Sequence, residues 1–434
     1  MTRLGLSGIA RREWVLLAAS MLVSTALVVA FVVLRRHQPL AGDAPEYDLE
    51  GRFIAQGHWF WTTTPYGIAH ASAWKAPAYP AWVGVAYAIL GDHAVRVELL
   101  QALLTPATVG LTWWLARRLF GLPAALAAAW IVALWPLVWQ WNGLLYSEAL
   151  AVPLGLLILA LGIVSPPSPR RAAGIGVLLG ITLLLRPSSV FLIAGLAAAW
   201  IAVAGLRRGA LMTGVTIVLA ALVVAPWTIR NAHVLGGFVP ISIQDAAAYG
   251  TFNDDAAHDP IYPYAWRPAP SDVRPVFSHP RSDITFYHDL QRLAVDYINA
   301  HPVSVLKAFF WNGLSRLWDV RRPARALVET RFEGRSHDLT AIGLGMYYVL
   351  LVGALAGLWR WRRRRQILWA SIALTLAAGI VFTSDSGTRY RAPLQPLVAI
   401  LACGAIPRLT RSAPAPPTGL SELREGAVEG SARA

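Results

Sequence analysis

Four carboxylates, Asp43, Glu46, Asp48 and Glu50, crowd the stretch AGDAPEYDLEGRFIAQGHWF (41–60) of a 434-residue chain in which only 14% of residues are charged. They follow directly on an apolar run long enough to cross a bilayer. A carboxylate at a membrane face can take a proton from a hydroxyl. Complementary groups recur further along: Lys75 in SAWKAPAYP, Glu148 in NGLLYSEAL, Arg186 in LLLRPSS, Arg230 in APWTIRN, and Arg389, Tyr390 and Arg391 in SDSGTRYRAP. Lysine and arginine suit a phosphate that accumulates charge as it leaves. Gathered on one face, these acids and bases would handle a proton and a phosphate together. Structural alternatives exist for each. Asp43-Ala44-Pro45-Glu46 has the spacing of a capping box. Arg186, Arg230 and Arg391 can snorkel to headgroups, and Glu148 can cap a helix behind Ser147. The capping box leaves Lys75 and the other polar groups unexplained.

The elements that must carry these residues are membrane spans. With 56% hydrophobic residues, a soluble domain of this length could not hide its apolar side chains. The 19 Trp suit interfacial belts, and the 29 Pro suit helix ends and loops. Hydropathy predicts an all-α polytopic protein with about ten spans, near 14–34, 96–116, 122–138, 147–164, 172–186, 188–206, 210–226, 340–359, 367–383 and 391–407. The fifth and sixth are divided only by Arg186-Pro187 and could form one kinked element. The first run is of span length, which argues against a cleavable signal.

The net charge of +14 comes almost wholly from arginine, only Lys75 and Lys307 being lysines. These arginines sit mainly in short loops between apolar runs, so topology explains them and no nucleic-acid partner is expected. With both termini cytoplasmic, Arg117-Arg118, Arg170-Arg171, Arg207-Arg208 and the run Arg362–Arg365 fall inside. Arg35-Arg36 is the exception. Two long segments, 35–95 and 227–339, then lie outside. In the first, Leu49, Phe53 and Ile54 would share the apolar face of an interfacial helix, with Asp48 and Glu50 on its wet face; Ala78–Leu90 is too short to span. In the second, Phe286–His301 reads as helical. The single Cys403 excludes an intrachain disulfide, and the Pro/Ala/Gly-rich tail at 408–434 reads as disordered. No internal repeat is evident.

The chain resembles the GT-C glycosyltransferases that use polyprenyl-phosphate sugars, the branch with the protein O-mannosyltransferases and the bacterial lipid A aminoarabinose transferase. GDAPEYDLEGRFIAQG, WKAPAYPAWVGVAYAILGDHAVRVELLQALLTPATVGLTWWLARRLFG, GLLYSEAL, APWTIRN and TRYRAPLQPL carry the likeness, in order, over residues 1–407. The resemblance implies a GT-C transmembrane domain with its active site on the extracytoplasmic face of the plasma membrane. Asp43 matches the presumed catalytic base, although many relatives have Asp-Glu where this chain has Asp43-Ala44, leaving Glu46 as a possible partner. Lys75 matches a basic residue thought to hold the lipid phosphate, Glu148 an acid opening the fourth span, and Arg389-Tyr390 a further phosphate contact. Tyr47 and Arg186 join the substrate-binding group. Arg230 matches a recurrent ending of the seventh span.

The mechanism so implied is inverting transfer from a polyprenyl-phosphate sugar to a hydroxyl on a glycan, lipid or protein. Asp43 acts as base, assisted by Glu46 or Glu148, and Lys75 and Arg389 stabilise the leaving phosphate. No cofactor is expected, because the donor is lipid-linked and no Gly-rich phosphate loop is present. Asn253-Asp254-Asp255 reads as a solvated turn, and no metal is expected. Tyr262, Tyr264 and Trp266 suit sugar stacking, with the second segment covering the site and selecting the acceptor. The rival reading is a transporter or flippase of lipid-linked or anionic solutes, which would predict broken mid-membrane helices and paired repeats.

Overall fold

A computed structural model describes residues 11–63, 68–260, 262–268, 282–320 and 322–410. The tail expected at 408–434 lies outside the described residues from 411 onward. The elements are α1 (Arg11–Arg35), α2 (Ala44–Ala55), β1 (Trp61–Thr63), β2 (Ala69–Ala71), α3 (Ala78–Leu90), α4 (Ala94–Ala102), α5 (Thr105–Phe120), α6 (Leu122–Leu134), α7 (Pro136–Trp139), α8 (Glu148–Ile163), α9 (Pro169–Leu185), α10 (Leu192–Ala204), α11 (Leu206–Leu235), α12 (Asp254–Ala257), α13 (Asp283–Ala300), α14 (Val303–Ala308), α15 (Ala324–Glu333), α16 (His337–Arg360), α17 (Arg365–Val381) and α18 (Gln395–Ala405).

Each expected span contains a helix. By length and apolarity, five helical stretches among the described residues suffice to cross a membrane: α1, α4–α5 together, 187–204, α11 and α16. A sixth arises if α6 and the stretch 136–143, bent by 66°, count as one broken span. The others are shorter. Prolines set the breaks. A residue before proline is pushed out of the helical region, and Trp135 and Arg186 are both extended, at φ −84°, ψ 107° and φ −155°, ψ 100°. Arg186-Pro187 therefore ends α9, a short 3-10 turn follows, and α10 is a separate helix. The outward-facing helices α11 and α16 carry exposed Leu211, Val218, Leu222, Val349, Val352 and Leu355. Such surface suits lipid and not water. Inside, small residues let helices approach. A Cβ at Gly176 would stand 2.7 Å from Leu219 Cβ of α11, so α9 and α11 pack backbone to backbone, in the small-xxx-small manner of membrane helices.

The two long segments fold against one end of this bundle. In the first, α2 packs on α3, joined by an antiparallel hairpin that pairs Trp61 with Ala71 and Thr63 with Ala69. The hairpin was not expected. The buried face of α2 is also rotated from the expected one: Ala44, Tyr47, Glu50, Gly51 and Ile54 are buried. Gly51 sets this rotation, because its bare backbone presses on α3, where a Cβ would come within 2.5 Å of Val83 Cγ1. Glu50 is carried to the inside as a result, and Asp48 pairs with Arg52 and accepts from the Tyr87 hydroxyl. In the second segment α13 buries Tyr287, Leu290 and Ala294, while Val295 faces out. Asn253 caps α12, accepting from the Ala256 amide, with Asp254 and Asp255 exposed. Residues 239–243 join the segments: the Ile243 amide donates to Ala73 O (2.9 Å), and Trp227 Nε1 of α11 to Ile241 O (2.6 Å).

Candidate active site

A cavity of about 960 Å³ opens where the two segments meet the helix ends. Gly42, Asp43 and Tyr47 line it from the first segment, Tyr146 and Ser147 from the turn before α8, and 185–188 from the α9–α10 break. Ser242, Trp266, Arg316 and α15 enclose it from the second segment, and 381–390 from the last loop. Leu183, Val190, Val381 and Phe382 give it an apolar side.

Asp43 sits at the N-cap position of α2 but makes no capping hydrogen bond, its own backbone being helical. The capping-box reading therefore fails: the carboxylate is drawn outward by two cations. Lys75 Nζ lies 3.1 Å from Oδ1, and Arg389 Nη1 donates to Oδ2 at 2.5 Å. Its backbone is held from the other side by Tyr146, whose hydroxyl donates to Ala41 O at 2.9 Å. Gly42, at φ +62°, permits that approach. Burial alone would raise the Asp43 pKa, but Lys75 and Arg389 overcome it and hold the carboxyl well below the usual range. Asp43 is thus ionised at neutral pH, with a third of its side chain open to the cavity (34%).

Glu148 is fully buried behind the wall and binds two arginines. It pairs with Arg186, whose Nε also donates to Ser188 Oγ (3.1 Å), and accepts from Arg389 through both carboxylate oxygens. Arg389 stacks 4.3 Å over the Tyr146 ring, and the Tyr390 ring is 5.3 Å from the Arg186 guanidinium and 5.9 Å from that of Arg389. Arg186 and Arg389 thus face the cavity in fixed positions.

Lys75 does not line the cavity. Its side chain is 1% exposed and clamped between Asp43 and Glu46, the latter at 2.5 Å, with its charge 5.0 Å over the Tyr47 ring. Burial would lower its pKa, but Asp43, Tyr47 and Glu46 outweigh that and raise it. Glu46 turns away from the cavity and also accepts from Trp74 Nε1 (3.0 Å). Arg230 stands apart, donating to Ser72 O (2.6 Å) and stacking on Trp227 (4.7 Å), so it ties the hairpin to α11. Arg391 points inward, not to headgroups: it is fully buried, paired with Asp319 at 2.9 Å and stacked 3.8 Å over Tyr347. Of the three loop aromatics, Trp266 lines the cavity, whereas Tyr262 and Tyr264 are buried in the segment.

Several lining residues escaped sequence reading. Tyr146 and Asp385 lie inside quoted motifs, two and four residues before Glu148 and Arg389, and their proximity was the available signal. Arg325 and Glu329 share one face of α15 by their i, i+4 spacing. Glu329 accepts from Arg316 Nη2 at 2.8 Å.

Against solved structures, the chain is similar to the oligosaccharyltransferase AglB of the archaeon Archaeoglobus fulgidus. The match to AglB in complex with an inhibitory peptide and a dolichol-phosphate has a TM-score of 0.54 at 16% identity, over 91% of this chain and 50% of that one. The apo form of the same enzyme gives 0.53 at 16% identity, over 90% and 50%. ArnT from Cupriavidus metallidurans bound to undecaprenyl phosphate matches at 0.42 and 15% identity, over 92% and 79%. No protein-family model matches the chain, and no curated protein matches it by sequence. The chain spans about half the length of AglB. The chain shares the helical fold of that oligosaccharyltransferase, and its described residues include helices long and apolar enough to cross a membrane.

Proposed function

We propose that the protein is a membrane glycosyltransferase that moves a sugar from a polyprenyl phosphate to an acceptor hydroxyl, with inversion. The observation that carries this reading is that an ionised, partly open Asp43, paired with Arg389, shares one cavity lining with Arg186, and that Glu148 fixes both arginines. The donor phosphate binds Arg389 and Arg186, its tail leaving by the apolar side of the cavity. The acceptor oxygen attacks the anomeric carbon, the bond from that carbon to the phosphate oxygen breaks, and the acceptor proton passes to Asp43. A carboxylate of depressed pKa is a weak base, so the proton moves late, once bonding to the anomeric carbon has acidified the acceptor oxygen. Arginines aimed at the departing phosphate stabilise its charge without reorganisation. Lys75 and Glu46 act through Asp43 by fixing its orientation. The ten crossings, the cytoplasmic termini and an extracytoplasmic cavity complete the proposal, supported by the distribution of arginines between loops.

The test is transfer in reconstituted vesicles from a labelled polyprenyl-phosphate sugar, with the anomeric configuration of the product read by NMR. Inverted product that disappears in Asp43→Asn supports the reading. Retained configuration, or wild-type transfer by Asp43→Asn, overturns it.

A further inference from the structure

The donor site accounts for one group of cationic residues in the cavity, and a second group remains. Arg316 closes the π-helical turn Phe309–Arg316, whose Gly313 packs against Gly379 of α17. Its side chain is only 13% exposed and lines the cavity. Glu329 satisfies Nη2, but Nε and Nη1 are buried without a hydrogen-bond partner among the described residues. Asp385 is 3.8 Å from Nη1, too far for a hydrogen bond, and already accepts from the Tyr390 hydroxyl. A buried guanidinium with two orphan donors is costly, and an oxyanion would relieve it.

Arg325, on α15, lines the same cavity and makes no ion pair among the described residues. Arg267 stands behind them, paired with Asp259. Burial lowers the Arg267 pKa, and the like charges of Arg325 and Arg316 lower it further. Three arginines gather here, and Arg316 keeps two buried donors without a hydrogen-bond partner among the described residues. Trp266 gives the site a flat apolar edge.

We infer that Arg316 and Arg325 form a second oxyanion site in the cavity, separate from Arg389 and Arg186, and that it holds a phosphate or carboxylate carried by the acceptor. This rests on the proposed function for the word acceptor, not for the site itself. Two anions would then be held in one cavity, the donor phosphate on one wall and the acceptor anion on the other.

The probe is inorganic phosphate, titrated by equilibrium dialysis into the full chain in nanodiscs saturated with undecaprenyl phosphate. One further phosphate per chain is expected. Arg325→Ala and Arg316→Gln should each weaken it about tenfold or more, since a charge-assisted hydrogen bond contributes ~1.5–3 kcal/mol, with undecaprenyl phosphate binding unchanged. No second phosphate, or affinity unchanged in Arg325→Ala, overturns the site. Arg325→Ala decides the matter even if Arg316→Gln fails to fold. Displacement of the phosphate by undecaprenyl diphosphate would overturn the acceptor assignment, because the site would then serve the donor. If undecaprenyl phosphate itself does not bind, the proposed function fails separately; two phosphates, one lost in Arg325→Ala, must still bind without it.

Discussion

At the scale of single residues the account turns on which charges face the cavity and which are held behind it. Asp43→Asn keeps the shape but removes the proton acceptor, so transfer should fall by roughly 10²–10⁴-fold, with undecaprenyl phosphate still bound; donor binding and turnover measured on one preparation check this. Glu148→Gln leaves two buried arginines short of a counter-charge. Removing one partner of a buried pair costs ~3–5 kcal/mol, and a fall in both thermal stability and transfer is expected. Glu50 gives a pH prediction. Its side chain is buried on α2, and burial pushes its pKa up to about 8, against the opposing pull of Lys75. The folded state therefore holds a proton that the unfolded chain releases near its ordinary value of 4.5. By linkage, this contribution is fully present below about 4.5 and is lost as pH rises toward about 8. Thermal unfolding of detergent-solubilised Glu50→Gln from pH 5 to 9 should show a flatter profile than wild type.

At the scale of elements, the positions of the charged residues follow from breaks in helices. Prolines were visible in the sequence, and Arg186-Pro187 was legible as a junction; that it splits two helices and aims Arg186 at Glu148 follows from its extended backbone. The face of α2 was misread because apolar side chains alone were counted. Gly51 has no side chain to register, yet its close packing on Val83 decides the rotation and brings Glu50 inside. Gly51→Ala should therefore destabilise the α2–α3 pair by about 1–3 kcal/mol through overpacking, and lower transfer by shifting Asp43; denaturation midpoints and turnover measure both. The second segment was least legible. Its contribution to the cavity comes from residues scattered between 241 and 333, of which only those on α15 share an α-helix. Long-range packing, not local pattern, unites Arg316 with Asp385 and Glu329.

For the whole molecule, residues 43, 75, 148 and 389 lie in four separate stretches of chain, yet they form one connected network of ion pairs. The ordered motifs foresaw that convergence. They did not foresee that Lys75 would be sealed beneath the wall, since sequence spacing carries no depth. The orientation has its own test: in a Cys403→Ser chain, Gly57→Cys should react with an impermeant maleimide from outside intact cells, and Arg363→Cys only after permeabilisation. The central claim is that this cavity releases a lipid phosphate as it transfers a sugar. Its most direct measurement is the release of polyprenyl phosphate from a polyprenyl-phosphate sugar in vesicles containing the purified chain, quantified beside the sugar appearing on acceptor. The account predicts one polyprenyl phosphate released per sugar transferred, and neither product with Asp43→Asn. Movement of intact lipid-linked sugar across the bilayer with no release of polyprenyl phosphate would contradict it.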